Sequence, residues 1–506
     1  MTVIIVLLLI AAAPLAEARW LRVAQREHYL PGTVTTFAVR WWRLHVRNQA
    51  LVALAIGATA VAVFFGWAAV LAIEAVALGP LGLSMRGRTS QLAWTRRLKA
   101  LAATHMLICV AMVTAGVLVG YGAATAALTA LVLPITLDLA LAINAPLENR
   151  AAAKFVHQAR VRLDKVAPTR VAITGSYGKT TIKGYVRHLA TSTRSVVASP
   201  ASFNNTGGLS RSVNEHLTPD TEIFVAEMGS YGPGEISKLC TWVKPDVAAL
   251  CNIGPVHLER FGDLDTVVTS KAEIFDNANI GVLNVDAYGL TELADQLDKN
   301  SIRIIRCSAD PDSGADVIVE DLDVATMRIT IDGATSEVPV APAAIAENVA
   351  VAVGVAVALD VPGTVILQRL VDLPGADHRQ EISTSPTGVT VIDDTYNSNP
   401  AGAASALVVL TDLTARRRVL VTPGMVELGP IQHAENAKLG AAAANSVDDI
   451  VIVGHTNRTA LLRGTEDGPA AVHLVSTRNE AVEWVRATLE PGDAVLYEND
   501  LPDHYA

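Results

Sequence analysis

Five apolar runs mark the first 145 residues, at about 2–16, 50–66, 68–83, 100–120 and 122–143. A helix needs roughly 20 apolar residues to cross hydrocarbon without tilt, and some of these runs are a little shorter than that. The pattern predicts a transmembrane region over 1–145 with about five helices, then a charged, helix-forming connector at 146–166. Beyond the connector the period shortens. Arg170-Val-Ala-Ile-Thr174 reads as a buried strand, and the stretch from Lys179 carries Tyr185 and Leu189 at helical spacing. A second alternating unit starts after Leu373-Pro-Gly-Ala376, with strands at 389–392, 418–422 and 450–453 and helices at 401–413 and 431–446. The expected fold is an α-helical transmembrane region followed by two α/β domains, over 167–376 and 377–506, with mostly parallel sheets.

Composition sharpens the division. A hydrophobic fraction of 51% in 506 residues is too apolar for a wholly soluble enzyme. Residues 1–150 carry 12 Lys and Arg against 5 Asp and Glu, whereas 151–506 carry 28 against 45. An acidic rear offers no basic footprint, so nucleic acid is not an expected partner. The basic residues between the apolar runs cluster as Arg19, Arg22, Arg26, Arg40, Arg43 and Arg47, then Arg86 to Lys99, then Arg150 and Lys154. By the positive-inside rule all three clusters are cytoplasmic, with an external N-terminus. The expectation is a multi-pass protein of the cell membrane whose α/β domains face the cytoplasm. The rival reading makes 1–18 a cleaved signal peptide, on the strength of Ala16-Glu17-Ala18. It lacks a basic leading segment, and cleavage would leave the Arg-rich 19–49 stretch outside. Glu74 and Asp138, inside apolar runs, are either relay or headgroup sites or helix-end residues that reach water. Cys109, Cys240, Cys251 and Cys307 form no CxxC pair and read as reduced packing thiols.

Candidate chemistry begins where the first strand ends, at Thr174-Gly-Ser-Tyr-Gly-Lys-Thr-Thr181. Gly175 and Gly178, flanking Ser176 and Tyr177, let the backbone turn so that amide groups and a helix N-terminus face a phosphate chain. Lys179 adds charge at the terminal phosphates, and Thr180 beside Thr181 offers a hydroxyl to magnesium. A full P-loop would have glycine where Ile173 stands, so this is a shortened variant. A purely structural glycine turn is the alternative, and it leaves Lys179-Thr-Thr181 without a purpose. Glu227 closes the apolar run Ile223-Phe-Val-Ala226, which puts a hard oxygen ligand at the carboxyl edge of a sheet.

The motifs TGSYGKTT, FNNTGG at 203–208, EMGSYGPGEI at 227–236, NIGPVHLERFG at 252–262, KAEIF at 271–275, LNVD at 283–286, DDTYNSNP at 393–400 and GMVELG at 424–429 occur in one order over about 165–500. In this the chain resembles the Mur ligases of peptidoglycan synthesis, most closely the branch that adds D-alanyl-D-alanine to the muramoyl tripeptide. The resemblance implies a P-loop central domain and a Rossmann-like C-terminal domain. It implies ATP and magnesium as cofactors, with Thr180, Glu227, His257 and Lys271 at the metals and Lys271 carbamylated. Carbamylation needs a neutral amine, hence a lysine in a closed site. The alternative for Lys271 is an exposed lysine at a helix start, and for His257 a loop histidine without a ligand role. Asn348 resembles the asparagine that reads adenine, although the family's preceding histidine is Glu347 here. Arg379 and Asp394 match positions that engage ATP across a closed domain interface. Asn204 and Asn205 in the first domain, and Tyr396, Asn397 and Asn399 in the second, match turns beside the substrates. Ordinary turn chemistry also accounts for these asparagines.

The implied reaction transfers the γ-phosphoryl of ATP to a carboxylate, and an amine attacks the acyl phosphate. Lys179, the magnesium ions and Arg379 would offset the charge, and closure near residue 375 would exclude water. The expected partners are therefore ATP, a carboxylate acceptor, an amine donor and a membrane lipid or lipid-linked precursor. Two features depart from the family. The P-loop strand follows the last apolar run by barely 25 residues, which leaves no room for the family's nucleotide-gripping N-terminal domain. The family's closing Lys-Gly-Ser-Arg type turn is replaced by Leu496-Tyr-Glu-Asn-Asp500. The alternatives are an amide ligase of a polymer such as poly-γ-glutamate, a P-loop ATPase component of a membrane transporter, and a non-catalytic scaffold. The intact Lys179, Glu227, His257 and Lys271 set argues against the last two.

Overall fold

The computed structural model describes residues 2–44, 46–83, 92–201, 203–255, 258–300, 302–323, 325–340, 344–374, 381–395 and 398–501. Residues up to Ala151, with the final segment from Leu501, form one compact unit, and Ala152–Asp500 form another.

The first unit is helical. All five apolar runs fall in helices for most of their length: Thr2–Arg26, Val46–Ala62, Ala68–Leu78, Arg96–Leu118, and the pair Gly122–Leu131 and Leu133–Val166. Their inward residues, among them Ile5, Trp20, Trp41, Ile73, Leu101 and Leu137, share one core. The expectation of about five spans is not reproduced. By length and composition one described helix, Arg96–Leu118, suffices to cross a membrane, or up to three spans if each sharply bent helix pair counts as one. The reason is length. Ala68–Leu78 has 11 residues, about 16 Å at 1.5 Å per residue, against a hydrocarbon core of about 30 Å. Thr2–Arg26 becomes charged halfway along, at Glu17, Arg19, Arg22 and Arg26. That same helix runs without a break through Ala16-Glu17-Ala18, and Ala16, Trp20 and Leu21 are buried on either side of it.

Asp138 neither reaches water nor stands free. Its Oδ1 accepts from the Gly32 and Val34 amides at 2.9 and 3.3 Å, and its Oδ2 from the Thr35 amide at 2.7 Å and the Thr35 hydroxyl. These are orphan donors at the N-terminus of the helix Thr33–Leu44, so Asp138 is a cap supplied from another helix. Glu74 is exposed on Ala68–Leu78.

The second unit holds two sheets. The first contains β1 (Thr169–Thr174), β2 (Val196–Ala198), β3 (Ile223–Glu227), β4 (Val247–Leu250), β5 (Ile280–Asn284), β6 (Arg303–Ser308), β7 (Val317–Asp323), β8 (Thr326–Ile331) and β9 (Ala334–Pro339). Their order is β2-β3-β1-β4-β5-β6-β7-β8-β9, parallel through β7 and antiparallel in the β7–β9 ribbon. Strands buried on both faces read as continuous apolar runs, as β1 and β3 do. The strand order reverses at β1, which places the carboxyl ends of β1, β3 and β4 around a crevice where such sheets bind ligands. The helix Ala346–Ala358, apolar almost all round, covers one face from beside the helix Lys179–Ala190.

The second sheet contains β10 (Glu381–Thr384), β11 (Thr390–Asp394), β12 (Arg418–Thr422), β13 (Asp449–Val453), β14 (Ala471–Val475) and β15 (Ala494–Glu498). Its order is β10-β11-β15-β12-β13-β14, parallel except for β10. The last strand thus lies between β11 and β12. The expected helices at 401–413 and 431–446 are present as Pro400–Asp412 and Gln432–Ala444. The expected closure point near 375 lies outside the described residues.

Candidate active site

The glycine loop leaves β1 and turns into the helix Lys179–Ala190. Gly178 precedes that helix with φ +78°, and a Cβ there would stand 2.3 Å from the Asn348 Oδ1. Both conditions call for glycine, and the second sets Asn348 against the loop. Gly175 is equally confined, since a Cβ would meet the Cys251 Sγ at 2.3 Å. That thiol donates to the carbonyls of Thr174 and Tyr177 at 2.9 and 3.0 Å. Burial pushes Cys251 up to about 11, so it stays protonated and able to donate. Ser176 completes the clamp, its amide donating to the Asn252 carbonyl at 2.8 Å and its hydroxyl to the Gly254 carbonyl at 3.1 Å. Lys179 folds back so that Nζ donates to the carbonyls of Gly175 and Ser176 at 2.7 and 3.1 Å. The loop therefore stands formed around its own lysine. Tyr177 packs against Gly254, and burial, then the charge of Glu435, holds its hydroxyl above the usual range. Thr181 lies in the first turn of the helix.

Opposite the loop, Glu227 ends β3 and is buried. Its Oε2 accepts from the Thr180 hydroxyl at 2.9 Å and from the Lys183 ammonium at 2.8 Å, and its Oε1 from the Asn204 amide at 3.2 Å. Thr180 and Lys183 sit three residues apart, on one face of one helix. A buried carboxylate beside a hydroxyl at the foot of a phosphate loop suits a hard divalent cation. His257 lies outside the described residues, and among those described no three His, Cys, Asp or Glu converge. Lys271, in the last turn of Leu264–Ala272, is buried, and burial followed by the charge of Lys179 lowers it to about 7. It is not the exposed lysine of the alternative reading. Lys179, Lys271, Gly175, Asn204, Ser230 and Phe261 line one cleft of about 390 Å³. The Ser230 hydroxyl is buried with no hydrogen-bond partner among the described residues, which is the state of a group set to meet a ligand.

Asn205 turns away from this cleft. Its side chain accepts from the Gly208 amide at 2.9 Å and caps the helix Thr206–His216. Asn399 does the same for Pro400–Asp412, accepting from the Gly402 amide at 2.9 Å. Both side chains are thus engaged by turn chemistry. Asp394 ends β11 in register with Glu498. Arg379, Tyr396 and Asn397 lie outside the described residues.

Comparison with known proteins reads this arrangement directly. A family described as the Mur ligase middle domain matches residues 173–356, and the Mur ligase glutamate ligase domain matches 378–497. The UDP-N-acetylmuramoyl-tripeptide--D-alanyl-D-alanine ligase of Mycobacterium leprae is 30% identical over 392 residues, covering 68% of this chain and 74% of that protein. The chain belongs to the Mur ligase family. Mur ligases are ATP-dependent, ADP-forming amide ligases that use magnesium, so the transporter-ATPase alternative falls. A crystal structure of MurF from Acinetobacter baumannii superposes with a TM-score of 0.61 at 25% identity, covering 69% of this chain and 77% of that one. The MurF ligase of Thermotoga maritima, solved in complex with ADP, shares the fold at 23% identity and a TM-score of 0.58, covering 69% and 80%. Neither Mur ligase match reaches the first 172 residues.

Sequence reasoning overlooked Lys183, the buried counter-charge of Glu227. The signal was available in its position one helical turn after Lys179. It also overlooked Ser230, and Asn436 and Asn457, which hold the GMVELG loop. Asn436 accepts from the Met425 amide at 2.8 Å, and both donate to the Met425 carbonyl, at 2.9 and 3.0 Å. No local pattern distinguishes these asparagines from ordinary helix residues.

Proposed function

We propose that the chain joins a muramoyl-peptide-like carboxylate to D-alanyl-D-alanine or a similar amine through an acyl phosphate, working at the membrane. The observation that carries this reading is the cleft lined by the phosphate loop, Lys271 and Asn204, with Asn204 bonded to the buried Glu227 that Thr180 also reaches. Lys179 neutralises the transferring phosphoryl group, and Thr180, Glu227 and His257 hold magnesium. Lys271, buried and close to neutral, reacts with carbon dioxide to give a carbamate that supplies a further anionic ligand. Asn348 faces the adenine, and Arg379 and Asp394 close on the nucleotide from the second domain. Asn204 and the turns holding Asn205, Tyr396, Asn397 and Asn399 flank the two substrates.

The membrane part of the proposal rests on the long apolar helix Arg96–Leu118 and on the basic clusters beside the apolar runs. Exposed Phe64, Trp67, Met106, Leu107 and Leu118 on the helical unit fit a lipid environment. The α/β unit then lies in the cytoplasm, and in chain order the helical unit takes the place of the domain with which other family members grip a nucleotide sugar. The acceptor is lipid-linked or delivered at the membrane surface. The test is phosphate release by the full chain in detergent, with D-alanyl-D-alanine and either UDP-linked or lipid-linked muramoyl tripeptide, and with Lys179→Ala and Lys271→Ala as controls. Release that needs both substrates and is lost in the controls supports the ligase. ATP hydrolysis without an amine overturns it, and efficient use of the UDP-linked acceptor overturns the lipid-linked part.

A further inference from the structure

Among the buried carboxylates that the mechanism above does not use, Glu498 stands out for holding two segments together. Glu498 ends β15 and is 0% exposed. Its Oε1 accepts from the Ser398 hydroxyl and its Oε2 from the Thr422 hydroxyl. Ser398 belongs to the DDTYNSNP turn after β11, and Thr422 ends β12 just before the GMVELG loop. Because β15 runs between β11 and β12, a side chain at its carboxyl end reaches both segments. Thr422 passes the connection on, its hydroxyl oxygen accepting from the Gly424 amide at 2.9 Å.

Asn499 repeats the link. Its amide donates to the Asp394 carbonyl at 3.0 Å, and its side chain donates to the Gly424 carbonyl at 2.7 Å. It does so at φ +64°, a conformation that asparagine tolerates better than most residues. The GMVELG loop is separately fixed by Asn436 and Asn457, whereas Ser398 has its described tie to that loop through Glu498 and Thr422. A buried carboxylate held by two hydroxyls is costly unless both donors stay in place, so the group enforces the spacing it spans.

We propose that Glu498 is a positioning residue, clasping Ser398, beside the start of Pro400–Asp412, to Thr422 at the loop after β12 and so setting the site for the incoming amine. This rests on the ligase reading above, in which the turn holding Asn399 flanks the substrates. It places an acidic clasp where the resembling ligases carry a cationic turn, so this chain fixes its amine-side loops by different chemistry.

The test compares the full chain with Glu498→Ala and Glu498→Gln in detergent, by steady-state kinetics and by amide hydrogen exchange. Glu498→Ala is expected to raise KM for D-alanyl-D-alanine about tenfold while KM for ATP changes less than twofold. Exchange should quicken about tenfold in peptides covering 394–403 and 422–428 and stay unchanged in β1 to β6. Glu498→Gln, which keeps the shape and can still accept, should recover most of both. Unchanged exchange in the two segments, or a general rise across both sheets, overturns the clasp, and so does an equal rise in both KM values. If the wild-type chain does not use D-alanyl-D-alanine, the functional reading fails, while the exchange comparison still decides the clasp.

Discussion

Glu227 shows how one buried charge organises the side chains around it, from Thr180 and Lys183 to Asn204. Three donors surround it, and the strongest is Lys183, itself buried. Removing one member of such a pair leaves the other uncompensated, at a typical cost of about 3 kcal/mol. Lys183→Met is therefore expected to lower the unfolding free energy by about 3 kcal/mol, and magnesium with ADP to recover part of it by replacing the lost charge. Urea melts with and without magnesium check this; a variant as stable as wild type without the metal would refute it. Glu498 makes a different prediction. Burial, aided by the neighbouring Asp394, raises it from 4.5 to about 7 against the opposing pull of its two hydroxyl donors. The folded state thus holds its proton more tightly than the unfolded chain does. Its contribution to stability is complete below pH 4.5 and lost as pH climbs to about 7. Glu498→Gln cannot ionise, so the stability of this variant relative to wild type should rise across that window and level off above it, as urea melts at a series of pH values will show. Chemistry of this kind was partly legible in the residues. Lys179, Glu227 and Lys271 sit in motifs whose spacing has a stated purpose. Lys183 and Glu498 act through partners 44 and 100 residues away, which no local window contains.

At the level of elements, the alternation of apolar runs and amphipathic stretches was enough to place β1, β3, β11, β12 and β13 and the helices that follow β1, β11 and β12. It worked because strands buried on both faces must be apolar throughout. The β7–β9 ribbon was less visible, since its strands mix exposed and buried positions. In the helical unit the apolar runs were right and their reading as separate spans was not, because hydropathy registers composition and not where a helix breaks. Asp138 is the instructive case. An acidic residue in an apolar run invites a relay or headgroup role, yet here it satisfies the N-terminus of Thr33–Leu44 from 103 to 106 residues away. Asp138→Ala is expected to cost about 1 kcal/mol and to speed exchange of the amides from Gly32 to Thr35, with kcat unaltered. A loss of ligase activity without a change in exchange would return Asp138 to the list of functional groups.

For the molecule as a whole, two unlike solvents are implied by one chain: an apolar helical unit with bulky side chains outside, and an acidic α/β unit with its apolar side chains within. If the first unit lies in lipid, washing membranes with alkaline carbonate or high salt should leave the full chain in the pellet. Recovery in the supernatant would contradict membrane residence without touching the ligase. The strand order of the second sheet carries a further consequence, for biosynthesis. β15 is made after every strand it aligns, yet it lies in the middle of its sheet and presents the clasp. A chain interrupted ahead of Ala494 loses the seam joining β11 to β12, and with it the alignment of every loop on that edge. The loops on that edge thus come into alignment only once β15 has been made, and fragments released before it lack the seam.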